Sequence, residues 1–144
     1  MEKLTVALGS DHGGYNLKEA VKAHLLKAGF EVRDFGVHST DSSNYPVIAR
    51  VVANAVAADK FNRGILICGT GIGMSIVANK IKGIRAAVVE NTFSAKATRA
   101  HNDSNILCLG ERVLKLELAL AIVDIWLKTE FEGGRHQKRV NMIE

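Results

Sequence analysis

Residues 64–73, Gly-Ile-Leu-Ile-Cys-Gly-Thr-Gly-Ile-Gly, decide the fold. Their first half is a continuous apolar run, which is typical of a strand buried on both faces of a parallel sheet. Their second half has glycine at alternate positions, which predicts a tight loop, and a helical pattern follows to about Ile81. A strand, a glycine loop and a helix in this order are the repeating unit of an α/β protein.

The same order of strand and helix recurs along the whole chain. It predicts a five-stranded parallel sheet with helices on both faces, and such sheets bind ligands at the carboxyl ends of their strands. The helical pattern over residues 114–127 is apolar on more than one face, so we expect part of it to pack on a second subunit. The predicted strands are 4–9, 30–35, 64–68, 84–89 and 105–109; the predicted helices are 17–28, 46–58, 73–81, 91–102, 114–127 and a last one from Gly133 or Gly134.

Composition favours one globular domain over residues 1–144 and excludes several classes of protein. The formal charge is only +4 and no run of five Lys or Arg occurs, which argues against nucleic-acid binding. No apolar run is long enough to cross a membrane, and no signal peptide is indicated at the N-terminus. The two cysteines, Cys68 and Cys108, form no C-x-x-C pair, which favours the reducing cytoplasm. Cys108 lies in an apolar run and is predicted to be core.

Cys68 is the most informative candidate for chemistry. Backbone N–H groups of a glycine loop at the start of a helix stabilise an anion, and such donors favour the thiolate of a cysteine. Cys68 could therefore be a base or nucleophile beside an oxyanion hole. The structural alternative is a buried cysteine that ends a strand at a tight turn.

Three other interpretations of the glycine loop fail at a residue that their chemistry needs. A phosphate-binding P-loop requires a Lys that is absent here. A dinucleotide fingerprint requires a glycine at position 74, where Met74 stands, although Glu90 lies at the expected distance. A small tyrosine-phosphatase loop requires an Arg at the same position, before Ser75.

Further polar candidates follow other strands or end helices. Asp11 and His12 follow the first strand and could hold hydroxyls or move protons, or Asp11 could simply cap a helix. His101 could act at a site or satisfy the last carbonyls of its helix. Arg135 and Arg139 share a helical face that suits a phosphate, or they belong to a solvated basic tail. No set of His, Cys and carboxylates has metal-ligand spacing.

Six segments in order resemble the ribose-5-phosphate isomerase B family, which also includes galactose-6-phosphate and allose-6-phosphate isomerases. Each motif alone is moderately specific, whereas the ordered set covers essentially the whole chain. The matching segments are residues 9–14 (GSDHGG), 44–46 (NYP), 68–73 (CGTGIG), 99–105 (RAHNDSN), 110–112 (GER) and 132–136 (EGGRH).

The resemblance implies an aldose–ketose isomerase of the pentose phosphate pathway that acts on a small sugar phosphate without a metal or nucleotide cofactor. It implies a Rossmann-like three-layer α/β/α sandwich that forms a homodimer or homotetramer, with active sites at the subunit interface. One branch of the family uses a cysteine as the base and another uses a glutamate in the following helix. Ser75 stands near that second position, so the sequence resembles the cysteine branch.

The resemblance also implies roles for individual residues. Cys68 transfers the proton between C2 and C1, His101 aided by Asp11 opens the sugar ring, and Thr70 orients the thiol or an oxygen. The residues expected to bind substrate are His12, Tyr45, Gly69, Gly71, Ile72, Gly73, Asn102, Arg112, Arg135, His136 and Arg139.

Two alternative functions remain open at the level of sequence. A six-carbon substrate, galactose 6-phosphate or allose 6-phosphate, would keep the same reaction and change only the depth of the pocket. A non-catalytic sugar-phosphate-binding module would need the glycine loop and the arginines, but not Cys68 together with His101.

Overall fold

The computed structural model describes residues 4–144. Over this range the chain forms five strands and six α-helices, and a short 3-10 turn, His12–Gly14, precedes the first helix. The strands are β1 Thr5–Ser10, β2 Glu31–Asp34, β3 Arg63–Cys68, β4 Ala86–Val88 and β5 Ile106–Gly110. The helices are α1 Tyr15–Lys27, α2 Tyr45–Ala57, α3 Ile72–Ala78, α4 Thr92–Ala100, α5 Leu116–Lys128 and α6 Arg135–Asn141.

The five strands form one parallel sheet in the order β2-β1-β3-β5-β4. Helices α1, α4 and α5 contribute to the core on one face, while α2 and α3 cover the other face. The predicted three-layer α/β/α sandwich with a five-stranded parallel sheet is therefore confirmed.

The central strands are apolar on both faces because each face is covered by helices. In β3, Ile65 and Ile67 pack with α1 and α5, whereas Leu66 and Cys68 pack with α2 and α3. All four residues are less than a tenth exposed. This double burial explains why β3 is a continuous apolar run rather than an alternating one.

Some predicted boundaries were wrong by a few residues. Helix α3 ends at Ala78 rather than near Ile81, because the Asn79 side chain pairs with the main chain of Ala86. Asn79 Oδ1 accepts from the Ala86 N–H at 2.8 Å and Asn79 Nδ2 donates to the Ala86 carbonyl at 2.9 Å. These two bonds turn the chain into β4. Helix α4 is capped by Asn91, whose Oδ1 accepts from the Ser94 N–H at 2.7 Å.

A buried ion cluster fixes the end of β2 against α1. Asp34 Oδ2 lies 2.6 Å from the Nζ of Lys18, which is fully buried, and 3.2 Å from the Nζ of Lys22. Burial opposes ionisation of Asp34, but hydrogen bonds from Lys18 and from the Gly36 N–H outweigh it, so the pKa of Asp34 is lowered. The pKa of Lys22 is raised by its hydrogen bond to Asp34.

We expect Asp34→Asn to lower the free energy of unfolding at pH 7 by about 3 kcal/mol, because Lys18 would keep a buried charge and lose its main partner. A lowered carboxyl pKa stabilises the fold above the unfolded-state value, near ~4, and that contribution disappears as pH falls through the folded-state value. Urea unfolding at one protein concentration, at pH 7 and at lower pH, measures both effects. Glu19→Gln is the matched control, since Glu19 also contacts Lys18 but is exposed. Equal losses in the two variants would contradict this account.

Candidate active site

The thiol of Cys68 ends β3 and receives a backbone hydrogen bond from the loop that follows. The Gly71 N–H donates to Cys68 Sγ at 3.1 Å, and Cys68 is 7% exposed. Gly71 has φ +81°, a left-handed conformation that glycine adopts without strain. The glycine at position 71 therefore aims an N–H at the sulfur, and this bond fixes the thiol at the start of the glycine loop.

Thr70 is exposed at the tip of this loop. Its Oγ1 accepts from the Ile72 N–H at 3.2 Å, which holds the hydroxyl beside the start of α3. A hydroxyl that accepts this bond still has its own proton to donate. The role expected for Thr70, orienting the thiol or a substrate oxygen, stays a prediction.

Asp11 is brought against the Cys68 loop by the turn that follows β1. The Asp11 N–H donates to the Ile67 carbonyl at 3.2 Å. Gly13 lies so close to the loop that a Cβ there would sit 3.4 Å from the Gly69 nitrogen. Asp11 Oδ1 accepts from the Gly14 N–H at 3.2 Å and therefore caps the 3-10 turn, as the structural alternative proposed. The carboxylate is nonetheless beside the Cys68 loop, so capping and a place at the site are compatible.

His12 is held by a residue that the sequence did not point to. The Ser43 N–H donates to His12 Nδ1 at 3.1 Å, and Ser43 Oγ accepts from the His12 N–H at 3.0 Å. Because a backbone N–H can only donate, Nδ1 is the acceptor and the neutral ring carries its proton on Nε2. His12 is thereby a donor toward a ligand. Ser43 is 31 residues away in a polar loop, and no local pattern indicates the contact.

Tyr45 and Arg112 flank the loop on two sides. The Tyr45 ring lies against Gly73, where a Cβ would meet its Cε1 at 2.6 Å. The Arg112 side chain lies over Gly69, and the Arg112 N–H donates to the Gly69 carbonyl at 3.0 Å. We call this group the Cys68 edge; it comprises Asp11, His12, Tyr45, Cys68, residues 69–73 and Arg112.

His101 lies near the amino ends of the strands, whereas the Cys68 edge lies at their carboxyl ends. It follows α4, which starts after the carboxyl end of β4 and returns to the amino end of β5. Cys68 is paired with Gly110 at the far end of β5. Five strand residues separate the two edges by about 16 Å. The expected cooperation of His101 with Asp11 and Cys68 is therefore not formed within one chain.

The His101 cluster consists of His101, Asn102, Glu132, His136 and Arg139. The rings of His101 and His136 stack with centroids 4.4 Å apart and planes 15° apart. Glu132 Oε1 lies 3.4 Å from His136 Nε2 and 4.0 Å from His101 Nε2. Sequence reasoning missed Glu132, although it belongs to the matched segment 132–136.

A cavity of about 420 Å³ opens beside this cluster. Its lining includes His101, Asn102, His136 and Arg139. Arg135 begins α6 and is exposed outside this lining. The last helix, predicted to begin near Gly133 or Gly134, is present over Arg135–Asn141, but only Arg139 of its two arginines reaches the cavity.

The loop that carries His101 is fixed by a buried arginine. Arg99 Nη1 donates to Asp103 Oδ1 at 2.8 Å and to the Ser104 carbonyl at 2.7 Å, and Arg99 is 3% exposed. Trp126 Nε1 donates to Ser104 Oγ at 2.9 Å. Asp103 and Ser104, which directly follow residues 101–102, are therefore tied to α4 and α5.

Cys108 and Ser75 are buried, and their surroundings indicate structural roles. Cys108 is fully buried, and burial raises the pKa of its thiol. Ser75 Oγ donates to the Ile72 carbonyl at 2.7 Å and is 9% exposed. Cys108 thus stays protonated in the core, as predicted, and position 75 supplies no carboxylate. Among the helices described over residues 4–144, none is long and apolar enough to cross a bilayer.

The carboxyl end of a central strand in this parallel α/β sandwich carries a hydrogen-bonded thiol, flanked by a carboxylate, a histidine and an arginine. These groups are of the kinds that transfer protons and bind anions. The family model described as Ribose/Galactose Isomerase matches residues 6–143. The chain therefore belongs to the ribose/galactose isomerase family, and it is an isomerase.

Individual relatives match this chain over nearly their whole length. The chain is 52% identical to ribose-5-phosphate isomerase B of Escherichia coli (strain K12) over 138 residues, which cover 96% of this chain and 93% of that protein. It superposes with a TM-score of 0.96 on ribose-5-phosphate isomerase B of Clostridium thermocellum, at 56% identity and covering 97% and 95% of the two chains. The Mycoplasma genitalium enzyme with bound ribulose-5-phosphate gives a TM-score of 0.94 at 41% identity, covering 96% and 93%.

Proposed function

We propose that this protein interconverts ribose 5-phosphate and ribulose 5-phosphate through an enediolate, with Cys68 as the proton-transferring base. The observation that carries the proposal is the Gly71 N–H directed at Cys68 Sγ, beside Asp11 and Arg112. The relatives support the substrate, because all three are named ribose-5-phosphate isomerase B and one of them holds ribulose-5-phosphate. Membership of an isomerase family disfavours the non-catalytic binding module.

The Cys68 thiolate takes the proton from C2 of the open-chain aldose, and the electron pair of that C–H bond forms the C1–C2 double bond. The carbonyl oxygen at C1 becomes negative, and backbone N–H groups of residues 69–73 stabilise that charge. Return of the proton from Cys68 to C1, with movement of the hydroxyl proton from O2 to O1, gives the ketose. Atoms and charge balance without a redox partner.

Ring opening and phosphate binding use the remaining residues. His101 moves a proton between the C1 hydroxyl and the ring oxygen, and Asp11 assists it. Arg112 carries positive charge beside Gly69 at the Cys68 edge, and Arg139 lines the cavity of the His101 cluster. Charge-assisted bonds from such guanidinium groups suit the phosphate. The other proposed contacts to sugar or phosphate are His12, Tyr45, Thr70, Asn102 and Arg135.

A second copy of the chain would bring the Cys68 edge and the His101 cluster together. Helices α2 and α3, which lead from the Cys68 edge, expose large apolar side chains at 39% to 58% of their surface: Tyr45, Val47, Val51, Ile72 and Ile76. A contiguous apolar surface of this kind marks a protein interface. We infer a homodimer, alone or within a homotetramer, in which each site takes Cys68 from one subunit and His101 from the other.

The proposed interface is formed by α2 and α3, whereas the sequence pattern predicted a subunit contact for the helix over residues 114–127. Helix α5 packs most of its apolar side chains in its own core and exposes Leu116 and Leu118 near its start. A contact of that end of α5 with a further subunit stays a prediction. We also infer a cytoplasmic location, because both cysteines are unpaired thiols.

Subunit mixing tests the reaction and the shared site together. We expect Cys68→Ala and His101→Asn to be almost inactive alone on ribose 5-phosphate, and their mixture to recover about a quarter of native activity. Random pairing makes half of the dimers mixed, and each mixed dimer has one intact site of two. The assay is conversion of ribose 5-phosphate to ribulose 5-phosphate in the presence of chelator, with the six-carbon phosphates as comparison substrates.

Two outcomes of the mixing experiment would contradict these proposals. Native protein that leaves ribose 5-phosphate unchanged would overturn the proposed reaction. If the native protein is active but proven mixed dimers of the two variants recover no activity, the proposed reaction stands and the shared site is contradicted.

A further inference from the structure

His136 differs from the residues proposed to bind substrate beside it because it is buried. Its side chain is 9% exposed, whereas the side chain of His101 is 47% exposed. The two rings stack with nearly parallel planes. The buried ring therefore forms a flat support under the exposed ring of His101.

The segment that carries His136 is tied to the helix that carries His101. The Glu132 N–H donates to the Ala100 carbonyl at 3.0 Å, directly before His101. The His136 N–H donates to the Gly133 carbonyl at 3.0 Å, and its Nε2 faces Glu132 Oε1 at 3.4 Å. Main-chain hydrogen bonds thus hold the segment that carries His136 against the end of α4, where His101 lies.

A metal ion does not explain the arrangement. His101, Glu132 and His136 each offer one ligand atom, and these atoms lie within 4.8 Å of one another. A metal-bound imidazole has the ion close to its ring plane, whereas two stacked planes only 15° apart meet far from both rings. The geometry suits stacking rather than shared ligation.

We propose that His136 is a positioning residue: its buried ring fixes the plane of His101, so that His101 presents a ring nitrogen to the sugar during ring opening. This inference rests on the proposed function, in which His101 opens the ring. Without the support, an exposed imidazole turns among several orientations and is correctly placed for only part of the time. The effect should therefore fall on ring opening and spare the later proton transfer.

The chemistry of the two substrates separates these steps. Ribose 5-phosphate closes into a furanose through O4 and has to be opened before isomerisation. Ribulose 5-phosphate carries its phosphate on O5, so it cannot form that ring and stays open. Exchange of a C1 hydrogen of ribulose 5-phosphate for deuterium therefore requires the base but no ring opening.

The experiment compares His136→Ala with His136→Phe in both assays. We expect His136→Ala to lower kcat for ribose 5-phosphate by about 10- to 100-fold, while KM and the C1 exchange of ribulose 5-phosphate stay within about 3-fold. His136→Phe keeps a flat ring and is expected to recover most of the lost kcat. Native protein inactive on ribose 5-phosphate would instead overturn the proposed function itself.

Three results would overturn the positioning role. A raised KM for both substrates in both variants would make His136 a phosphate ligand. Equal losses of turnover and exchange would make its role purely structural. A phenylalanine variant that is as slow as the alanine variant would exclude the stack as the cause.

Discussion

Replacing Cys68 with alanine is expected to lower kcat for ribose 5-phosphate by about 10³-fold or more, because the variant lacks the group that takes the proton from C2. Binding should change little, since Cys68 is 7% exposed and the anion-binding arginines remain. The Kd for ribulose 5-phosphate should stay within about 3-fold. NMR in D2O with chelator measures turnover and deuterium entry at C1 and C2, and calorimetry measures the Kd.

Two further variants test whether the loss of activity is specific to the thiol of Cys68. Cys68→Ser keeps an acceptor for the Gly71 N–H but replaces the thiol by a much weaker acid, so it should be as inactive as the alanine variant. Cys108→Ala removes the other thiol, which is fully buried, and should keep activity within about 2-fold with a modest loss of stability. Turnover that persists in Cys68→Ala would be consistent with an isomerase but would contradict the proposal that Cys68 is its base.

The parts of the site that sequence predicted are those that follow strands directly. An apolar run such as residues 64–68 predicts a central strand, and the side chains after parallel strands gather at one edge. Asp11 and Arg112 follow β1 and β5, and Cys68 ends β3, so their place at the carboxyl edge followed from the pattern. Their proximity depends on the strand order, in which β1, β3 and β5 are neighbours.

The parts that sequence did not predict depend on tertiary placement. His101 and Cys68 are both polar residues at the end of an element, but one element is a helix that returns to the amino edge of the sheet. The connection from β4 through α4 to the parallel strand β5 places the two at opposite edges. Likewise, Ser43 contacts His12 across 31 residues, and Glu132 meets His136 beside His101 through folding of the C-terminal segment. Local patterns carry no information about such contacts.

The proposed shared site would need several of the matched segments at once. In that proposal, segment 68–73 supplies the base and its backbone donors, and segments 99–105 and 132–136 supply the ring-opening cluster. Under this proposal, a chain that kept only one of the two parts could bind an anion but could not isomerise a cyclic aldose phosphate.

His101→Asn is expected to lower kcat for ribose 5-phosphate by about 10²- to 10⁴-fold, the usual range for loss of a general acid–base group. Exchange at C1 of ribulose 5-phosphate should stay within about 3-fold of native, because that substrate is already open and Cys68 is intact. Cys68→Ala is the complementary control, since it should abolish both the turnover of ribose 5-phosphate and the C1 exchange of ribulose 5-phosphate. Loss of exchange in His101→Asn, in step with turnover, would place His101 in the proton transfer at carbon and contradict its assignment to ring opening.

The residual turnover of His101→Asn carries a second test of the same assignment. A variant that cannot open the ring acts only on the open-chain aldehyde that forms without catalysis. Its rate should therefore rise with enzyme concentration at first and then level off, once uncatalysed ring opening limits the supply. The native rate should stay proportional to enzyme concentration over the same range. A variant rate that stays proportional as well would mean that the enzyme still opens the ring and that another group, not His101, moves that proton.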